Sequence, residues 1–388
     1  NILIPELIYI INYILLVLYF GLLSTSNKYK YSISRYQNTL LPSLAILFLI
    51  FSEIHYPLYS QYLWDSFLHI NNFSNYLKLI LDIVCILVLI TSFKYIQTFK
   101  LSNYENNMLI LTVQIGVHLL LMSNNILILY LSIELITIII YILVSINKLS
   151  TYSIEAGLKY FILNAVSSGL LIIGFALLYG FTGIITLTDL YLFFKSYQVE
   201  IPNTIVTIFL NIGILLVLSG MLFKIYSVPF HLWISDIYQG SPLHVLYYIN
   251  VTPTILYQVL ILRFSTVFNE VLNLDYFILF IALISMLGGT TGALSQRKLK
   301  RLLAYSSITH GGYFLLCIAI SLQGNMLGMY SFLFYYIIYT VNQTLLFSNL
   351  SQISSINEKY QYNFLDQLKD YSGLYVKNEW ASIMITIS

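Results

Sequence analysis

Eleven stretches of this sequence run for a membrane's width with almost no charge. They lie near 3–23, 40–57, 76–97, 107–122, 126–147, 157–181, 204–228, 244–264, 275–295, 300–322 and 326–350. A spanning helix needs about 20 mostly apolar residues. Only 9% of the 388 residues are charged and 59% are hydrophobic, whereas a soluble domain carries about 25% charge. So little charge builds no water-facing surface, and lipid must be the solvent for most of the chain. The expected fold is all-α, a polytopic transmembrane helix bundle. Residues 351–379 form the most polar stretch and predict an extramembrane connection. A twelfth apolar run begins near Trp380 and reaches Ser388.

The remaining composition narrows the class. A net charge of +2 gives no reason to expect nucleic acid as a partner. Cys85 and Cys317 lie inside apolar runs and read as small hydrophobes, with neither a disulfide nor a metal site implied. The 35 tyrosines, with many Ile and Asn, point to a compositionally biased genome such as an organellar one. The first apolar run is long enough to span and has no basic flank before it, unlike a cleavable signal peptide.

Charge placement tests the span count, because short inside loops collect Lys and Arg. Lys28, Lys30 and Arg35 follow span 1; Lys94 and Lys100 follow span 3; Lys148 follows span 5. Arg297, Lys298, Lys300 and Arg301 follow span 9, and Lys359, Lys369 and Lys377 follow span 11. Connections after even spans hold Glu53, Asp65, Asp189, Glu200, Glu270 and Asp275 against only Lys195 and Arg263. The alternation predicts an amino terminus facing away from the basic compartment.

A charge within a span is costly and usually faces the bundle interior or water. Glu134 lies mid-span in LILYLSIELITIIIYILV. It reads either as a protonated, hydrogen-bonded structural carboxyl or, preferred, as a functional ionisable group. Lys224 ends an apolar run in FKIYSVPFHLWISDIYQGSP and is its natural partner, since such a pair titrates as a unit. A lysine near a span's end also snorkels to an interface. Pro229, five residues on, argues against so simple a picture: it breaks the helix, and broken helices mark transport sites.

Lys159 opens span 6 and divides evenly between anchor and pathway residue. His231 and His244 flank the break, with Asp236 between them, and read as hydrogen-bonding residues or relays. His310 sits in AYSSITHGGYF beside Ser306, Ser307 and Thr309, a patch suited to an internal wet path. Lys78 and Asp82, four apart on one helix face, predict an interfacial pair with no transport role. No metal-ligand spacing, phosphate loop or dinucleotide fingerprint is present, so the chain is expected to bind no cofactor.

With these motifs in order, the chain resembles the antiporter-like subunits of respiratory complex I, the proton-pumping NADH–quinone oxidoreductase. The resemblance rests on the quoted segment around Lys224, the Glu134 span, EAGLKYFILNAVSSGLLIIGFALLYGFTG and LKRLLAYSSITHGGYFLL. The Y-Q-G-S-P ending is similar to the branch holding mitochondrial subunit 2 and the bacterial N subunit. The resemblance implies two inverted five-helix repeats, each with a broken helix. Residues 1–105 would then hold three amino-terminal helices, 106–265 the first repeat, 274–350 part of the second and 380–388 the start of a truncated span.

The resemblance further implies that Glu134, Lys224 and Lys159 belong to a proton path along a central hydrophilic axis. NADH, FMN, iron–sulfur clusters and ubiquinone would reside in other subunits of the complex. The other membrane-arm subunits and membrane lipids would be its partners, and the mitochondrial inner membrane its location. Two departures from the family pattern stand out. Thr254 occupies the place of an expected span 8 lysine, and the second broken helix is incomplete, which leads to the expectation of a separate chain supplying the last spans. A non-pumping structural subunit of the same complex, or a cation/proton antiporter subunit of the same fold, are the competing readings.

Overall fold

The computed structural model describes residues 4–25, 35–55, 60–98, 103–147, 150–197, 205–357 and 367–371. Each of the eleven apolar runs forms a helix. They are α1 (Ile4–Thr25), α2 (Arg35–His55), α3 (Asn72–Thr98), α4 (Asn103–Met122), α5 (Ile126–Val144) and α6 (Thr151–Thr182), then α8 (Ile205–Lys224), α10 (Leu243–Leu272), α11 (Leu274–Leu294), α12 (Leu299–Leu322) and α13 (Met326–Asn357). Two helices come in addition: α7 (Leu187–Tyr197) before α8, and α9 (Ile234–Gly240) after the break. Among the described residues, α3–α6, α8 and α10–α12 are long and apolar enough to cross a membrane. The expected span near Trp380 and most of the polar connection at 351–379 lie outside the described residues.

Local sequence sets the helix ends. Asn125 starts α5 by accepting the amide of Leu127, and Ser150 starts α6 by accepting that of Ser153. Gly183 ends α6 in the left-handed conformation at φ 69°, where only glycine carries no Cβ penalty. Apolar side chains between helices make one continuous core that runs from Tyr9 in α1 to Leu350 in α13. Outward faces carry bare apolar groups such as Leu131, Phe280 and Phe334. That is the reverse of a soluble protein's surface and suits lipid contact.

Two edges of the bundle can be told apart. Strands β1 (Gln61–Leu63) and β2 (Leu68–Ile70) form a hairpin between α2 and α3. The amide of Asn124 donates to the carbonyl of Phe67 in this hairpin at 2.9 Å, and that of Ile126 donates to Ile185 at 3.0 Å. The α2–α3, α4–α5 and α6–α7 connections therefore gather at one edge. Arg263 of α10 adds a guanidinium to the carbonyls of Leu120 and Ser123, the C-terminal end of α4. At the other edge the starts of α6, α10 and α12 meet α9, tied by side chains described below.

Candidate functional site

The break after α8 is made by its own sequence. Its end closes with the amide of Tyr226 donating to Phe223, three residues back, and that of Ser227 to Leu222, five back, both at 3.2 Å. Tyr226 then takes a positive φ of 61°, the Val228–Pro229 bond is cis, and a turn bonded from Phe230 to Ser227 leads into α9. Proline supplies no amide to continue the helix, so the chain turns where sequence predicts. Aromatic rings pack around the break. Trp233 stacks on Phe223 at 5.5 Å and meets Tyr226 edge-on at 5.1 Å, and Tyr160 of α6 closes the other side at 5.9 Å. His231 and Asp236 lie on either side of Trp233, beside the break. His231 forms no hydrogen bond through its buried Nδ1, and Asp236 faces the bundle edge.

Lys224 sits at the last position of α8 and is 3% exposed. It does not snorkel. Its Nζ donates to the side-chain carbonyl of Asn164 in α6 at 2.9 Å and lies 5.7 Å from the ring centre of Tyr257 in α10. Glu134 of α5 acts on it electrostatically but makes no ion pair with it within 4.0 Å. One carboxylate oxygen of Glu134 is buried without a hydrogen bond. The expected pair is not in direct contact, and Asn164, absent from the sequence reading, is the hydrogen-bond partner of Lys224.

Lys159 occupies a different setting. Its side chain is 41% exposed and ion-paired with Glu155 at 2.8 Å and Asp236 at 2.9 Å. Arg301 of α12 shares Asp236 at 3.1 Å, and Lys300 donates to the carbonyl of Ser241 at 2.8 Å, next to the end of α9. These contacts fasten α6, α9 and α12 at one bundle edge. Gly240 completes the fastening: a Cβ there would meet that of Ala156 at 2.5 Å and run into the carbonyl of Tyr152. The structure does not bring Lys159 into hydrogen-bond contact with Lys224 or Glu134.

The relay histidines separate as well. His244 is buried with Nε2 3.0 Å from Asn106 of α4. His310 of α12 bonds Tyr335 of α13 through Nδ1 at 2.6 Å and stands edge-on to Tyr339. Tyr339 leads to a hub missed by the sequence reading, Asn250 of α10. Its carbonyl oxygen accepts from Tyr238 at 2.9 Å and Tyr339 at 2.8 Å, while its amide donates to Gln343 at 2.9 Å. Thr254 turns its hydroxyl back onto the Asn250 backbone carbonyl and supplies no charge in place of a lysine. Tyr257 and Gln258, one turn further, keep buried oxygens without a hydrogen bond. Asn250, Thr254 and Gln258 recur every four residues, so this polar stripe was legible as an i, i+4, i+8 pattern.

Lys78 and Asp82 correct the sequence reading. They are not an interfacial pair; both are buried, and each bonds to a different helix. Lys78 pairs with Glu6 of α1 at 2.6 Å, and Asp82 pairs with His118 of α4 at 3.0 Å. Glu53, assigned by sequence to a connection, is inside α2 with its side chain 8% exposed.

A family model described as "NADH:quinone oxidoreductase/Mrp antiporter, TM" matches residues 123–388. The chain belongs to this family. Subunit N of NADH-quinone oxidoreductase from Bartonella bacilliformis is 32% identical over 391 residues, covering 99% of this chain and 76% of that protein. NADH-ubiquinone oxidoreductase chain 2 of Marchantia polymorpha is 32% identical over 342 residues, covering 87% and 69%. Against three other subunit N relatives the chain spans 62–63% of their length. In fold it matches a chain in the structure of respiratory complex I from Thermus thermophilus, with a TM-score of 0.72, 23% identity, and 98% and 76% of the two chains covered. The expected helix bundle is therefore the family fold.

Proposed function

We propose that this chain is a proton-translocating membrane-arm subunit of a complex I-type NADH:quinone oxidoreductase. The observation that carries the reading is Lys224, a buried ammonium held by a neutral amide at the end of a helix that breaks beside it. A buried ammonium is costly unless a counter-charge supports it. Glu134 supplies that support across space, so any change in the field of Glu134 changes how firmly Lys224 keeps its proton. A fixed ion pair would hold the proton; an amide partner leaves it exchangeable. Tyr257 and Gln258 provide the adjoining polar positions on α10, and His310 with Tyr335 the next group on α12 and α13.

Redox chemistry belongs, in this reading, to partner subunits carrying NADH, FMN, iron–sulfur clusters and quinone, and this chain binds none of them. Its neighbours are other membrane-arm subunits and lipid. The Marchantia relative and the tyrosine-rich composition support the mitochondrial inner membrane as its location. One specific observation favours a second reading, a structural subunit that does not pump: Thr254 binds back into its own helix where the resemblance implies a lysine.

The deciding experiment measures NADH oxidation and coupled proton movement in membrane vesicles holding the assembled complex, with Lys224→Ala and Glu134→Ala. Pumping through this site predicts that both variants lose most of the proton movement. Unchanged oxidation with unchanged proton movement in both variants establishes the structural reading instead.

A further inference from the structure

Helices α1–α4 carry a second set of buried charges that takes no part in the Lys224 site. Glu6 lies in the first turn of α1 and Glu53 near the end of α2; Lys78 and Asp82 are one turn apart on α3, and Gln114 and His118 one turn apart on α4. These positions are all near the edge marked by the β1–β2 hairpin, one to three turns inside it. The imidazole of His118 stands between two carboxylates. Nε2 is 3.0 Å from Asp82 Oδ1, and Nδ1 is 3.4 Å from Glu53 Oε1 with no hydrogen bond formed. Gln114 donates to the same Asp82 oxygen at 2.5 Å, and Lys78 donates to Glu6 at 2.6 Å.

The arrangement leaves acceptors over. Both oxygens of Glu53, one of Asp82 and one of Glu6 are buried without a hydrogen bond, as is His118 Nδ1. Glu53 is more than nine-tenths buried, so water does not screen it. The remaining groups facing the array add no positive charge. They are Tyr9 on α1, stacked on His118 at 6.3 Å, Cys85 on α3, Tyr248 on α10 and Tyr336 on α13. With Lys78 charged and the three carboxylates ionised, a neutral imidazole leaves the array two negative charges in excess and an imidazolium leaves one. A net charge buried in apolar surroundings is strongly disfavoured. One proton on His118 and one on Glu53 bring the sum to zero.

We propose that the Asp82–His118–Glu53 array is a second proton-binding site of this chain, opening toward the hairpin edge and separate from Lys224. Taking up a proton forms an O–H bond on Glu53. Losing it returns the carboxylate, whose charge His118 then meets through its Nδ1–H while Nε2–H stays on Asp82. A transfer between the two breaks the Nδ1–H bond, forms the Glu53 O–H bond and conserves the charge of the array. Lys78 and Glu6 hold each other as a closed pair beside it and fix α1 against α3.

The test uses the assembled complex at equilibrium, without turnover, so its outcome is independent of whether Lys224 pumps. A hydrophobic carbodiimide, which reacts with protonated carboxyl groups in apolar surroundings, should label Glu53 in the wild-type complex, with labelling falling as pH rises. Infrared difference spectra between low and high pH should contain a protonated-carboxyl band that Glu53→Gln removes and Glu134→Gln leaves in place. If Glu53→Gln prevents assembly, the wild-type labelling decides alone. Glu53 that stays unlabelled at every pH overturns the proposal. So does a metal ion that copurifies with the wild-type complex and is lost in Glu53→Gln, because the carboxylates of Glu6 and Glu53 and a ring nitrogen of His118 lie within 4.8 Å of one another and would then be ligands.

Discussion

Lys224 and Lys159 lie on helices packed against each other, yet the bundle treats them in opposite ways. Lys224 is sealed among rings and meets one neutral amide; Lys159 is 41% exposed and meets two carboxylates. The difference teaches that a lysine's place in a span decides less than what surrounds its nitrogen. Partial exposure and two counter-charges surround Lys159, and its ion pairs fasten helices at a bundle edge. Nothing satisfies Lys224 to the same degree, and its protonation must respond to distant charge. Electrostatic reach is greater where the medium is less polarisable, which is why Glu134 can act on Lys224 without touching it.

The largest effect should come from Lys224→Ala. It removes the exchangeable proton and leaves the Asn164 carbonyl and Glu134 without their cation. Coupled proton movement should fall by roughly tenfold or more, a loss of about 1.4 kcal/mol or greater in the limiting step. Vesicle acidification driven by NADH checks it. Lys224→Arg separates charge from proton exchange, because a guanidinium does not deprotonate in proteins. If Arg restores full pumping, Lys224 is only a fixed charge and the contrast with Lys159 collapses.

Gly240→Ala comes next and attacks the scaffold that keeps the two lysines apart. The new methyl would press on Ala156 and the Tyr152 carbonyl, pushing α9 from α6. Overpacking of this kind costs about 1–3 kcal/mol, so the complex should melt several degrees lower or assemble in reduced amount. A thermal shift of the purified complex measures it. Asp236 moves with α9, so the ion pairs of Lys159 should loosen while the Lys224–Asn164 bond, made above the break, persists.

Glu134→Gln should have a smaller effect than Lys224→Ala. It keeps the side chain's shape and removes only the field acting on Lys224. Proton movement should drop severalfold, by about 1 kcal/mol, with Glu134→Asp retaining more activity than Glu134→Gln. Equal activity of the Asp and Gln variants would show that the two residues are not electrostatically linked.

Much of this was legible in the sequence. Apolar runs gave every spanning helix, because lipid permits nothing else for twenty uncharged residues. Pro229 marked the break and Lys224 its charged end. The misreadings share a cause: sequence spacing reports neighbours along one helix, while buried polar groups are settled by partners on another. Lys78 and Asp82 looked like mates at i, i+4 but bond to α1 and α4. Glu53 looked like a loop residue because it lies near the end of an apolar run, yet α1, α3 and α4 pack against its helix. Asn164 was passed over as one amide among small residues, and only the approach of α8 makes it the acceptor for Lys224. Helix α7 escaped because eleven residues with an acid in the first turn and a lysine in the last read equally well as a connection.

The smallest effect is expected at Lys159, and salt makes the prediction sharp. Ion pairs between exposed groups contribute about 0.2–1 kcal/mol and are screened within about 8 Å at physiological ionic strength. Lys159→Ala should therefore change proton movement by less than about fivefold. Asp236 retains Arg301 at 3.1 Å, so α9 and α12 stay fastened in that variant. Raising the salt concentration should shrink the difference between wild type and Lys159→Ala, because the wild-type pairs weaken toward the variant's state. The Lys224→Ala defect should be indifferent to salt, since no counter-ion reaches a side chain sealed between Asn164 and Tyr257. A Lys159→Ala defect as large as that of Lys224→Ala, and equally insensitive to salt, would place Lys159 on the proton path despite its exposure, and exposure would cease to be the property that sorts the two lysines.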